Sequence, residues 1–306
     1  MADLNWSDAQ WQKVKDAVTE AFGKASVASA FLPCYGPLSG GAETVRNERL
    51  VQAAGPIAVT ISLNADHNAV NLRLVNLTVN VELTNEQVAD ETLSNAMLAF
   101  RRAANILALE EDRIVFAGFS RGFPNENSPA VVNQVDPQLG LADLPARHRL
   151  FTGLRLTGAT LGQQVVTAVV NAMSTLEASS QPAPCACVLG NNLFEAVHEP
   201  TPALVLPVDR VTPLLKGGPL FRSGQMDQDT GIVVSLAGNS IDIVVGTPPT
   251  VQFLQRQANA RFLFRVYERF VLRIRDDVRL PVSGFRIRPN AAGITREAVR
   301  LAALGI

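Results

Sequence analysis

Hydrophobic positions recur with two different periods along the chain, and the change of period marks its elements. Trp11, Val14, Val18, Ala21 and Phe22 return every three to four residues, the spacing of one helical face. Ser7 is followed three residues later by Gln10, a capping box, so a helix is predicted from about Ser7 to Lys24. Its apolar stripe either docks on its own domain or forms a surface shared with a partner. The period then falls to two. Val70, Leu72 and Leu74, then Leu77, Val79, Val81 and Leu83, alternate with polar residues, and the phase slips at Val75 as a bulge requires. Taken as one element, Ala69 to Leu83 would reach about 50 Å, an arm that calls for support from a neighbouring chain. Thr84 and Gln87 form a second capping box. A single long helix is predicted behind it from Glu86 to about Leu109, with Val88, Leu93, Met97, Phe100, Ala104 and Leu107 inward.

Residues 118 to 158 are rich in Gly, Pro and Asn and weakly periodic, which predicts loops and short strands. A helix follows over Leu161 to Ala178, then a buried strand over Cys185 to Leu189 and a short helix over Asn192 to Val197. Pro200, Pro202 and Pro207 make His198 to Pro207 a stiff loop, and a helix is predicted around Val208 to Leu215. The last third returns to strands at Ile232 to Leu236, Ile241 to Val245 and Phe262 to Ile274. Along the last of these, Phe262, Phe264, Val266, Phe270, Leu272 and Ile274 face one way and Arg261, Arg265, Arg269, Arg273 and Arg275 the other. Arginines four apart also suit a helical stripe, but aromatic and β-branched residues in strict alternation favour a strand. There is no internal repeat.

Composition narrows the class. With 306 residues, 47% of them hydrophobic, the chain buries a large core, which excludes disordered, collagen-like and disulfide-scaffold classes. The net charge is -1, yet from Leu254 onward 11 arginines face four acids, which leaves the remainder at about -8. Opposite charge on two parts of one chain suits head-to-tail contacts between copies, and arginine rather than lysine suits fixed protein interfaces. No nucleic-acid or membrane partner is expected. Cys34, Cys185 and Cys187 form no disulfide framework, the N-terminus lacks a signal-peptide pattern, and a cytoplasmic location is expected.

Few residues suggest chemistry. Gly118-Phe119-Ser120-Arg121-Gly122 matches the G-x-S-x-G elbow of serine hydrolases, but Phe123-Pro124 and the residues after it cannot start the helix that the elbow requires, and neither His148 nor His198 completes a triad pattern. Cys185 and Cys187 read as buried structural thiols without a second ligand pair for zinc. Glu110, Glu111 and Asp112 read as a solvated face or an interface, because successive helix residues do not face each other. No phosphate-binding glycine motif occurs. No catalytic residue, metal or cofactor is therefore expected.

Taken in order, several stretches resemble the encapsulins, shell proteins related to tailed-phage capsid proteins. They are Tyr35-Gly36-Pro37-Leu38-Ser39-Gly40-Gly41, Leu109-Glu110-Glu111-Asp112-Arg113-Ile114-Val115-Phe116-Ala117-Gly118, Cys187-Val188-Leu189-Gly190, Leu215-Lys216-Gly217-Gly218 and Ile241-Asp242-Ile243-Val244-Val245-Gly246 before the Phe262 strand. The resemblance implies an α+β chain with the Hong Kong 97 phage-type capsid fold. Residues 1–53 would form the N-terminal helix and the start of a peripheral domain, 54–83 an extended β-arm, and 84–119 the spine helix. Residues 120–225 would form an axial domain with a pore loop, 226–279 peripheral strands and 280–306 a C-terminal extension. It also implies an icosahedral homo-oligomer that takes in a cargo enzyme through a C-terminal targeting peptide and admits small solutes through pores. His198, Glu199, Pro200, Thr201 and Pro202 would line a pore. Trp11, Val14, Val18, Leu32, Pro33, Val245 and Gly246 would receive the cargo peptide. A prophage major capsid protein of the same fold is the closest alternative, and a serine hydrolase the more distant one.

Overall fold

The chain divides into two units, Met1–Asp143 with Asn239–Val278, and Leu144–Gly238 with Arg279–Ile306. The structure, a computed structural model, describes residues 4–39, 41–54, 59–64, 70–118, 131–132, 140–142, 160–200, 205–238, 240–257, 261–276 and 281–287. In chain order the elements are α1 (Asp8–Ala25), α2 (Ala28–Phe31), β1 (Cys34–Tyr35), β2 (Thr44–Asn47), β3 (Arg49–Ala54), β4 (Val59–Asn64), β5 (Val70–Arg73), β6 (Val75–Thr84), α3 (Asn85–Ala89), α4 (Ser94–Ala117), β7 (Val131–Val132), α5 (Leu161–Ala178), β8 (Cys185–Leu189), α6 (Asn191–His198), α7 (Pro207–Leu214), β9 (Leu220–Arg222), β10 (Thr230–Ser235), β11 (Ile241–Arg256), β12 (Arg261–Ile274) and β13 (Val282–Arg286).

The first unit is built on a five-stranded sheet in the order β1-β11-β12-β6-β7. Phe262, Phe264, Val266 and Phe270 of β12 are buried on one face, as the alternation predicts, and α1 and α4 pack on that face. Trp6 anchors the helix. It precedes the Ser7 cap and lies 5.1 Å from the Trp11 ring, a hydrophobic staple across the first turn. It also stacks on Phe264 at 5.1 Å, and its indole N–H donates to the Val88 carbonyl at 3.0 Å.

Two predicted continuities are broken. The long helix is two helices. Thr84 and Gln87 do cap the first of them, but Asp90 receives the amides of Thr92 (2.9 Å) and Ser94 (3.1 Å), and Leu93 takes a left-handed φ of 55° before α4 begins. Helix α4 then runs past Leu109 to Ala117. The element expected over Ala69 to Leu83 is also two strands. Where the sequence suggests a bulge, the chain passes from the β2-β5 ladder to the five-stranded sheet. Leu74 sits at the crossing, fully buried with Val244 and Val271, its amide held by the Glu43 carbonyl at 2.9 Å.

The arm expected over 54–83 meets here a pair of two-stranded ladders, β2-β5 and β3-β4, whose first strand starts at Thr44. Its root is tied to the end of β12 by Leu50 N–H to Arg275 O (2.8 Å) and Asn47 Nδ2 to Ile274 O (3.2 Å). On the β3-β4 ladder Ile61 is 70% exposed and Leu63, opposite Leu50, is 49% exposed.

In the second unit a sheet ordered β13-β10-β8-β9 packs with α5, α6 and α7 around Val165, Val169, Leu193, Val211 and Phe285. Every residue of β8 is buried, so Cys185 and Cys187 are core thiols, and burial pushes both above the ordinary thiol pKa. The segment expected as a C-terminal extension supplies an edge strand of this sheet, β13, whose Arg286 pairs with Asp227. Residues 288–306 of that expected extension lie outside the described residues.

Candidate functional site

Strand β1 lies parallel to β11, Cys34 opposite Ile243 and Tyr35 opposite Val244, and this edge gathers four of the residues expected to receive a cargo peptide. The Pro33 carbonyl accepts the Ile243 amide at 2.9 Å, and the Val245 carbonyl accepts the Leu38 amide at 3.0 Å. The backbones meet so closely that a Cβ on Gly36 would lie 2.3 Å from the Val245 carbonyl oxygen, and one on Gly246 would lie 2.4 Å from Leu74. Pro33, Val245 and Gly246 are half-buried, while Leu32 is buried. Tyr35, which sequence reasoning did not single out as a binding residue, is 51% exposed beside them, its ring 4.8 Å from the Arg273 guanidinium carbon.

Trp11 lies toward the other end of β11, its ring 6.3 Å from Phe264, which pairs with Phe253. From Phe253 back to Val245 is about 27 Å of strand. Helix α1 spans the same interval at about 1.5 Å per residue, and its C-terminal end leads through α2 to β1. Val14 and Val18 are fully buried on its inner side. These two and Leu32 therefore do not present side chains to a ligand; they hold the helix and turn in place from beneath. The apolar stripe docks on its own unit, the first of the two readings the spacing allowed. Of the residues named here, Tyr35 is exposed and Trp11, Pro33, Val245 and Gly246 are half-buried.

The residues expected to line a pore belong to the second unit. His198 ends α6 and Glu199 is its C-cap. His198, Glu199 and Pro200 are exposed, and His198 Nδ1 donates to the Phe194 carbonyl at 2.8 Å, with the two rings 4.4 Å apart. Thr201 and Pro202 lie outside the described residues, as do Ser120 and His148.

The arginines of β12 are largely engaged within the chain. Arg273 makes a bidentate pair with Asp242 (2.8 and 2.5 Å), Arg275 joins it at 3.3 Å, and Arg261 pairs with Glu82 at 3.1 Å. Arg265 donates to Gln252 and lies over Tyr267, and Arg269 donates to the Ala42 carbonyl. Arg265, Tyr267 and Arg269 line a polar recess of about 370 Å³ with Glu43, Asn76 and Thr247.

The acidic run at 110–112 is not the solvated face or interface expected. Glu111 and Asp112 are 2% and 1% exposed. Asp112 accepts the amides of Val27 (2.9 Å) and Ala28 (2.8 Å), and Glu111 accepts the hydroxyls of Ser29 (2.6 Å) and Ser26 (3.1 Å). Burial pushes Glu111 up to about 7, with the neighbouring Asp112 adding to it, and pushes Asp112 up to about 6. Among the described residues no group of three or more His, Cys, Asp or Glu side chains is arranged to hold a metal, and no helix is long and apolar enough to cross a membrane.

Comparison with known proteins agrees with this architecture. The chain is 23% identical over 280 residues to the type 1 encapsulin shell protein EncA of Myxococcus xanthus (strain DK1622), covering 88% of this chain and 90% of that protein. Its fold is similar to a virus-like particle protein from Pyrococcus furiosus, with a TM-score of 0.65, 12% identity, and 90% of this chain and 99% of that one covered. It is also similar to the capsid of Myoviridae phage XM1, with a TM-score of 0.57, 12% identity, and 86% and 92% of the two chains covered. These likenesses give the fold, the Hong Kong 97 phage-type capsid fold. The model of the Linocin_M18 family, described as encapsulating protein for peroxidase, matches residues 2–130 and 150–271, and the chain belongs to that encapsulin family.

Proposed function

We propose that the chain assembles with copies of itself into a closed protein shell that holds a cargo enzyme and admits small solutes through pores. The observation that carries this is the arm. Two-stranded ladders are marginal in water, and β3-β4 leaves Ile61 and Leu63 bare on one face, so another surface must cover them. A second copy is the natural one, since a shell is built from identical chains. The family match and the likeness to shell and capsid proteins support the same reading.

In this reading the strip of Trp11, Pro33, Tyr35, Val245 and Gly246 takes the cargo peptide by apolar burial and shape, over a floor made by Val14, Val18 and Leu32. His198, Glu199 and Pro200 border an opening at a symmetry axis, where an imidazole beside a carboxylate biases which ions pass. The full-length chain purified alone tests the proposal: it elutes at the void of a gel-filtration column as particles of one size, and a stable monomer or dimer would refute it.

A further inference from the structure

Strand β12 carries one acid on its apolar face. Glu268 has the parity of Phe264, Val266 and Phe270, is 2% exposed, and its carboxyl hydrogen-bonds with that of Glu111 on α4. Two carboxyls in hydrogen-bond contact inside a core cannot both be ionised, because one must supply the O–H that the other accepts. The Oε1 of Glu268 has no hydrogen-bond partner among the described residues.

The groups facing this pair are known from every side. Helix α4 presents Asp112, while Glu110 is turned to Arg113 in an ion pair of 2.6 Å. The α1–α2 joint presents the Ser26 and Ser29 hydroxyls and the Val27 and Ala28 amides, with no charged side chain. Strand β1 presents the Cys34 thiol, which feels Glu111, whereas Asp242 of β11 stands opposite Arg273 on the other face of the sheet, held there by Arg273 and Arg275. No cation faces Glu111 or Glu268 among these groups, so a proton is the available neutralising charge.

We propose that Glu111 and Glu268 form a proton-dependent latch that seats the N-terminal helix: with a proton shared between them the α1–α2 joint is clamped to α4, and loss of that proton releases it. The step is a simple ionisation. The O–H bond of the shared carboxyl breaks, the proton goes to water, and two carboxylates are left in one low-dielectric site. Their repulsion acts on the side chains that bind Ser26 and Ser29, the residues at the joint. Burial raises Glu111 to about 7, and burial together with the Glu111 carboxyl raises Glu268 well above the ordinary Glu value. Because both folded-state values lie above the unfolded ones, this contribution to stability is full below the ordinary Glu pKa and is lost as pH rises through the folded values. The latch therefore opens on the alkaline side.

The two tryptophans of the chain, Trp6 and Trp11, both lie on the segment that the latch seats, so their emission reads it directly. In full-length protein titrated upward from about pH 5, the emission shifts to the red reversibly, with a midpoint above the ordinary Glu range, as Glu268 gives up the last proton. The infrared band of a protonated carboxyl is present at the acidic end and disappears over the same interval. In Glu268→Gln the amide donates to Glu111 without a proton to lose, and the emission transition vanishes, while Glu111 and Asp112 keep carboxyl bands of their own. A flat emission in the natural protein, an emission transition unchanged in Glu268→Gln, or no protonated-carboxyl band below the midpoint would each overturn the latch. The infrared measurement needs no variant, so the test survives if Glu268→Gln fails to fold. The latch lies within one unit and does not depend on assembly, so its failure and that of the shell reading are separately visible.

Discussion

Arg273 and Asp242 face each other across the β11-β12 ladder as a buried bidentate pair, Nε to Oδ1 at 2.8 Å and Nη2 to Oδ2 at 2.5 Å. Removing one partner strands the other charge in the sheet. Arg273→Ala is expected to destabilise the first unit by about 3–5 kcal/mol, seen as a lower melting temperature, and Arg273→Lys recovers only part of it because a single ammonium cannot reproduce the fork. Equal stability of Arg273→Ala and the natural chain would show that the pair is not what holds this edge.

Asp112 caps the four-residue helix α2 through the Val27 and Ala28 amides. Asp112→Ala leaves the buried Ala28 donor and the half-buried Val27 donor without their acceptor and is expected to cost about 1–3 kcal/mol. Hydrogen exchange at these two amides accelerates more than that in β12, which keeps its ladder.

Gly36 combines a φ of +129° with a backbone oxygen 2.3 Å from where a Cβ would stand. Gly36→Ala is expected to part β1 from β11 and lower thermal stability, whereas Gly23→Ala, on a helix with open space around it, raises it by a few tenths to about 1 kcal/mol. Melting curves of the two variants separate the effects.

Ile61 and Leu63 are exposed within the chain, so Ile61→Asp with Leu63→Asp leaves the circular dichroism spectrum of the folded chain unchanged. In the shell reading it prevents assembly, and sedimentation velocity shows small species in place of large particles. Large particles from this double variant would mean that the arm is not an assembly contact.

Much of this architecture was readable in the sequence because local signals and tertiary packing agree there. The capping boxes at Ser7 and Thr84 stand where the spacing put them, and the alternation over Phe262 to Ile274 matches the buried face. The break at Leu93 escaped because its left-handed turn is set by Asp90 accepting nearby amides, while the apolar spacing runs on without interruption. The burial of Glu111 and Asp112 escaped for a different reason. Their partners, Ser26 to Ser29, are more than 80 residues away, and only Glu268, an acid at an apolar-face position, hinted that α4 buries carboxyls. Val14 and Val18 were legible as one stripe, but periodicity alone does not say whether a stripe faces the chain's own sheet or a partner.

The arm tests the account most directly. In a cryo-electron microscopy reconstruction of particles formed by the full-length chain, the account predicts continuous density for β3 and β4 lying across a neighbouring copy, with Ile61 and Leu63 covered by it. Density in which this ladder folds back on its own chain, or a protein that forms no closed particle, would contradict it.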